Sequence, residues 1–408
     1  MTITIIIILC SLLLLAYFFD LTSSRTKIPS VILLLILGWG TRQLSRLADF
    51  QVPDLSPLLP LFGTIGLVLI VLEGSLELEL NKSKIPLLKK SFLLAFVSLF
   101  ALAFLIAFVF MEYGQFSLKN SLANVIPLCV ISSSVAISSV KNVSGHDKEF
   151  IIYESSMSDI LGVVFFNFIV LNENITLPSF GNFLLEILII CIVSFVASIG
   201  LSILLSKIDH PIKFVPIMIL VILIYAVSEV YHLPALIFIL FFGLFLANLD
   251  ELKQLKWIKK LRPHELNREV TKFREILTEG TFLIRAFFFT LFGYSFETRE
   301  IINTQTLGLA IGITCGIFGI RWVILKVSRL PITPLLFIAP RGLITILLFF
   351  AVPSAEVIFL VNKSLVIQVI ILTALVMMIG LMATKTELPK PAVAVVPENE
   401  SEHLTVID

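Results

Sequence analysis

Thirteen apolar runs, each close to the length of a bilayer-crossing helix, follow one another along this chain. They centre on residues 2–19, 28–42, 57–76, 90–111, 120–140, 150–171, 181–206, 211–228, 233–249, 278–296, 304–325, 331–353 and 362–383. A helix needs roughly 20 apolar residues to cross a hydrocarbon core. Of the 408 residues 58% are hydrophobic and 14% charged, against ~25% charged in soluble domains. The expected fold is therefore an all-α polytopic membrane protein with about thirteen transmembrane helices. The first run, "MTITIIIILCSLLLLAYFF", lacks the basic region and the small-residue cleavage site of a signal peptide and reads as a span. A net charge of +1 offers no basic field for nucleic acid. The four cysteines, Cys10, Cys129, Cys191 and Cys315, lie in apolar runs without pairing or metal-like spacing.

The connections carry an orientation signal, because cytoplasmic loops are enriched in Lys and Arg. The odd-numbered connections and the C-terminal tail hold 23 of the 30 basic residues, with Arg321, Lys326 and Arg329 counted after span 11. The even-numbered connections hold five, and Arg285 and Arg341 lie inside spans. This bias puts the N-terminus outside and the C-terminus in the cytoplasm of a cell membrane. The one long polar insertion, 250–276, spaces Leu252, Leu255, Trp257, Ile258 and Leu261 along one helical face and reads as a helix on the cytoplasmic interface. The tail, 384–408, is short and polar, and no soluble domain is expected there.

The two halves resemble each other at an offset of seven spans. Span 2, "KIPSVILLLILGWG", and span 9, "HLPALIFILFFGLF", each place a Gly nine residues after a Pro: Pro29 to Gly38, and Pro234 to Gly243. Span 3 ends "LEGSLELE" and span 10 ends "LFGYSFETRE", again in step. An odd offset inserts the two copies with opposite orientation, and inverted repeats are a signature of secondary transporters. The same offset pairs span 5, which holds Pro127 and five serines, with span 12, which holds Pro331, Pro334, Pro340 and Gly342. Proline removes an amide donor and leaves a carbonyl in need of another partner. Matched interruptions in the two halves point to a transporter's binding site.

Five ionisable groups lie deep in spans: Glu73, Glu154, Asp159, Arg285 and Arg341. A charge at mid-membrane costs at least ~2.5 kcal/mol unless it is paired or faces water. Ser155 and Asp159, four apart, share a helical face, whereas Glu154 and Asp159 diverge by about 140°. The two acids thus need separate partners. Two pairs follow as expectations: Arg341 with Glu154, and Arg285 with Glu73 across the repeat. One carboxylate then has no fixed counter-charge, and such a group is held as the acid or with a bound cation. Exchange requires this property, namely one acid that carries a proton or a cation and never both. Ser155 and the freed carbonyls of span 5 would add neutral oxygens suited to Na⁺ or K⁺.

These residues resemble the monovalent cation/proton antiporter family, the sodium/proton exchangers. The family's span 6 carries a Glu-Ser-x-x-Asn-Asp type motif, which "ESSMSD" matches at Glu154, Ser155 and Asp159. "APRGLI" matches its Arg-Gly in span 12, and "KIPSVILLLILGWG" its span 2. The resemblance covers residues 1–383 and implies two interrupted helices crossing in a core, with Asp159 as the carboxylate that is alternately protonated and cation-loaded. It implies a structural pair of Glu154 with Arg341, Ser155 as a ligand, Glu73 as a nearby acid, and a homodimer working by alternating access. The implied division is a dimerisation bundle from 1–80 and 211–298, a linker helix at 181–207, and a transport core from 85–175 and 302–383. Two positions depart from the pattern: Ser158 stands where Asn or Asp is usual, and Ser132-Ser133-Ser134 stands for Thr-Asp-Pro. Ser158 and Ser133 thereby join the candidate ion site, and with one carboxylate a one-for-one electroneutral exchange of H⁺ for Na⁺ (or K⁺ or Li⁺) is expected. No other cofactor is expected and no enzyme activity. A cation channel, or an exchanger-like sensor without transport, is the alternative.

Overall fold

The computed structural model describes residues 2–384 apart from 27, 49–54, 56, 79–82, 141–142, 144, 174–176, 208–209, 211–212, 232, 234 and 250–262. The apolar face expected over 252–261, Pro234 and the tail beyond 384 therefore lie outside the described residues. The described residues include fifteen helical segments.

Every one of the thirteen apolar runs falls on a helix or on an interrupted helix. The first four runs are α1 (Thr2–Thr26), α2 (Ser30–Leu47), α3 (Leu58–Leu76) and α4 (Ile85–Gly114). Run 5 is split into α5 (Leu118–Cys129) and α6 (Ser133–Ser139), and run 6 is α7 (Gly145–Leu171). Then come α8 (Leu177–Lys207), α9 (Phe214–Val230), α10 (Ala235–Ala247) and α11 (Pro263–Tyr294), with one short turn, α12 (Thr298–Ile301). Run 11 is α13 (Thr304–Val327), run 12 is an irregular stretch followed by α14 (Leu343–Ala351), and run 13 is α15 (Lys363–Ala383). Among the described residues eight helical stretches are long and apolar enough to cross a membrane on their own, and α9 and α10 are apolar but shorter.

Local chemistry sets the boundaries. Ser117 caps α5 by accepting from the Asn120 amide, Asn303 caps α13 at Gln305, and Asn362 caps α15 at Leu365. Burial then sorts the helices. The interrupted stretch Leu118–Ser139 is 94% buried, while the unbroken α13 is 28% buried over its most apolar window. A broken backbone exposes polar groups that lipid cannot satisfy, so it must be enclosed by protein.

Packing follows the seven-span offset. α2 lies against α11, and its repeat mate α10 lies against α3, the mate of α11. Both contacts depend on glycine. A Cβ on Gly38 would stand 2.6 Å from the Tyr294 amide nitrogen, and one on Gly243 would stand 2.7 Å from the Ser75 Cβ. In the same way α4 packs on α7, and α13 on α15.

Candidate ion-binding site

The centre of the molecule is where the two interrupted runs meet. α5 stops at Cys129 and α6 restarts at Ser133, so three consecutive amides have lost their helical acceptors. Each finds a different substitute. The Ile131 amide donates to Ser158 Oγ at 2.9 Å, the Ser132 amide to the Pro340 carbonyl at 2.9 Å, and the Ser133 amide to Asp159 Oδ2 at 3.3 Å. The second of these bonds joins the two interruptions directly. Their approach is close: a Cβ on Gly342 would stand 2.7 Å from Ser132 Oγ and 2.8 Å from a Val135 methyl. Glycine at 342 is thus required by the crossing itself.

The freed carbonyls are taken up by two arginines. Arg341 is 2% exposed; its Nε donates to the Leu128 carbonyl at 2.7 Å and its Nη1 to the Ala339 carbonyl at 3.1 Å. A cation is thereby set at the C-terminal end of α5, where the helix dipole is negative. Arg321, on α13 and equally buried, gives its Nε to the Leu335 carbonyl at 2.7 Å. Its two terminal nitrogens grip Glu154 in a two-pronged pair at 2.5 and 2.8 Å.

Two sequence expectations are corrected here. Glu154 is paired with Arg321 and not with Arg341, because α13 brings its guanidinium to α7 while Arg341 is spent on carbonyls of the crossing. Arg321 also lies buried within α13 rather than in the connection after it, so it does not belong to the loop charges with which it was counted. The position was readable: Arg321 falls within run 11, and only the neighbouring Lys326 and Arg329 made it look like a loop charge. Carbonyls of the break, expected as cation ligands, include Leu128, whose oxygen Arg341 occupies.

Asp159 stands apart from these charges. It is 2% exposed, and its Oδ1 has no hydrogen-bond partner among the described residues. Oδ2 meets the Ser133 amide, and the Ser133 hydroxyl lies beside the same carboxylate. No described arginine or lysine is within ion-pair distance of it, so the expectation of one acid without a fixed counter-charge is met by a different pairing from the one foreseen. Ser155, four residues earlier on the same face, donates to the Ile151 carbonyl at 2.7 Å. Its oxygen lone pairs remain available. Ser158, expected at the ion, is engaged with the Ile131 amide.

A cavity of about 600 Å³ leads from the surface to Ser133 and Ser134. Its walls come from α1, α3, α6 and α11, with Lys148 of α7 at the edge. Ile70, Glu73, Gly74 and Glu77 line it at one-face helical spacing, as do Thr278, Phe282 and Arg285. Glu73 faces Thr278 and Arg285. The ion pair of Arg285, however, is with Asp20 of α1, Nη2 to Oδ1 at 3.8 Å, in place of the Glu73 pair read from the repeat.

A profile described as "Sodium/hydrogen exchanger, transmembrane" matches residues 9–385. The chain belongs to the sodium/hydrogen exchanger family. Family members are multi-pass membrane transporters rather than enzymes, and the all-helical fold here agrees with solved structures. One, of the sodium proton antiporter MjNhaP1 from Methanocaldococcus jannaschii at pH 8, matches with a TM-score of 0.66 at 17% identity, covering 93% of this chain and 96% of that one. An electron-microscopy structure of the same antiporter matches with a TM-score of 0.59, also at 17% identity, over 94% and 95% of the two chains. At that identity the likeness is one of fold. No curated protein matches this exchanger-family chain in sequence.

Proposed function

We propose that this exchanger-family protein carries H⁺ against Na⁺, one for one, with Asp159 as the group that holds either ion. The single observation that carries the reading is the Asp159 carboxylate: buried, with no described arginine or lysine beside it, one oxygen on the Ser133 amide and the other without a partner among the described residues. A carboxylate in that setting is stable with a proton or a cation on Oδ1 and unstable bare. Either load gives the moving core the same charge, which makes the exchange electroneutral. Ser155 and the Ser133 hydroxyl supply neutral oxygens to the cation, and a hard monovalent ion suits that set. The same oxygens accept K⁺ or Li⁺, so Na⁺ is the favoured substrate and not an exclusive one.

Glu73 serves as an acid on the route from the cavity to Ser133. Glu154, Arg321 and Arg341 hold the crossing together and take no ion. Ser158 we assign to the break rather than to the ion, since its oxygen replaces a lost helical acceptor. The cavity opens on the side whose connections carry most of the Lys and Arg, which supports an inward-facing state with the C-terminus in the cytoplasm of the cell membrane. The remainder of the reading is a homodimer formed through 1–80 and 211–298, with 85–175 and 302–383 moving as the core.

Proteoliposomes with a trapped pH dye test this directly. Adding Na⁺ should drive proton release, with K⁺ and Li⁺ as comparisons. Asp159→Asn should abolish the signal while leaving the protein folded and eluting at the same size. Retained Na⁺-driven proton flux in Asp159→Asn would sink the assignment.

A further inference from the structure

The cavity that leads to Ser133 contains more charge than a path for a bare cation requires, and the arrangement of that charge is informative. Asp20, Glu73, Glu77 and Glu279 face it, against Lys148, Arg274 and Arg285. Four acids and three bases give a formal balance of −1. Arg274 and Glu77 form a pair at 3.0 Å close to the surface, with Arg274 well exposed. Further in, Arg285 is 15% exposed; it reaches Asp20 on α1 and lies beside Glu73 on α3. One guanidinium thus sits among the inner acids of the cavity, on the route a cation takes to Ser133.

We infer that Arg285 is an affinity-setting residue, a built-in cation that competes with the transported one for the acids of this cavity. The inference rests on the antiport reading and adds to it a determinant of how tightly one face binds its ion. A guanidinium keeps its charge at any pH the cell reaches, so the competition is permanent. In a walled cleft the field of one fixed charge is focused along the path rather than lost to solvent. The effect is confined to the face on which the cavity opens. The Arg285–Asp20–Glu73 cluster lies in α1, α3 and α11, whereas Asp159 lies beyond Ser133 on α7.

The test measures half-saturating Na⁺ separately from each face, in everted and right-side-out membrane vesicles. Arg285→Gln should lower it from the cavity face roughly two- to fifteen-fold, the range that Coulomb's law gives for a unit charge at separations on the order of 10 Å and dielectric constants of about 20 to 80. The other face and the maximal rate should not change. Arg285→Lys keeps the charge and should match the wild type, and adding Glu73→Gln to Arg285→Gln should reverse most of the gain. Asp20→Asn, which frees Arg285 toward Glu73, should move the value the opposite way, and it decides the matter if Arg285→Gln does not fold. Equal shifts at both faces, or none, would overturn the inference. If wild-type vesicles show no Na⁺-driven proton movement, the antiport reading fails by itself. Equilibrium binding of radioactive sodium to the purified variants then decides the role of Arg285: the same ordering supports it, and identical binding rejects it.

Discussion

On one side of α7, Glu154 accepts from Arg321 with both carboxylate oxygens; five residues further on, Asp159 accepts from a backbone amide with one oxygen, and the other has no partner among the described residues. Both acids are buried to about the same degree, at 1% and 2% exposure. Burial alone therefore does not separate structure from function in this core. What separates them is where the arginines go. α13 carries a guanidinium to the Glu154 side, and the second guanidinium, Arg341, is used up on the carbonyls of Leu128 and Ala339. The Asp159 side receives only amides and hydroxyls. An ion pair is satisfied permanently, whereas a carboxylate met only by neutral donors keeps room for a mobile cation or proton.

Beyond the loss of exchange expected for Asp159→Asn, the widest gap between the two sides should appear in stability. Arg321→Ala strands a buried Glu154, and breaking a buried pair by removing one partner costs about 3–5 kcal/mol. Thermal unfolding in detergent should show a large drop, and exchange in whatever survives should keep its preference among cations. Replacing Arg321 and Glu154 together by Leu should recover much of that loss, because no uncompensated charge remains. A small effect of Arg321→Ala would mean that Glu154 finds another partner, and the contrast between the two acids would fail.

Arg341→Ala should come second. It removes two charge-assisted bonds to carbonyls, at about 1.5–3 kcal/mol each, and leaves the Glu154 pair intact, whereas Arg321→Ala loses its bond to the Leu335 carbonyl as well as the pair. The order is the test. If Arg341→Ala unfolds the protein more readily than Arg321→Ala, the roles assigned to the two guanidiniums are reversed.

The all-helical fold, the two interruptions and the burial of an acid at Asp159 were legible in the sequence, because each depends on local properties. About twenty apolar residues in a row form a helix in a bilayer, and the prolines of runs 5 and 12 mark them as the interrupted ones, although α5 runs through Pro127 and stops at Cys129. The partner of Glu154 was not legible, because it depends on which helix approaches α7 at that depth. Spacing along α7 shows that Glu154 and Asp159 face apart, but not that α13 supplies the arginine. Arg341 shows the same limit from the other direction. Its motif, "APRGLI", marks it as important, while its Leu128 carbonyl partner is reached only once the two interrupted runs have crossed. Asp20 was missed for a simpler reason: it follows the first apolar run directly, and helix α1 continues past it to Thr26.

The smallest expected effect on stability is at Ser155, and for that reason it is the sharpest probe of the open side of α7. The Ser155 hydroxyl donates to the Ile151 carbonyl one turn back, a bond that contributes little to a helix already closed by its own ladder. Ser155→Ala should therefore change stability by no more than about 1 kcal/mol, the net worth of one neutral hydrogen bond. Its oxygen, however, faces the same way as Asp159, and a cation on Asp159 Oδ1 would lose a neutral ligand. The half-saturating Na⁺ concentration should rise while the maximal rate changes little, and Ser155→Thr, which keeps the hydroxyl, should restore it. A Ser155→Ala protein with unaltered Na⁺ dependence would leave Asp159 to hold the cation with Ser133 alone, and the open side of α7 would be narrower than its geometry suggests.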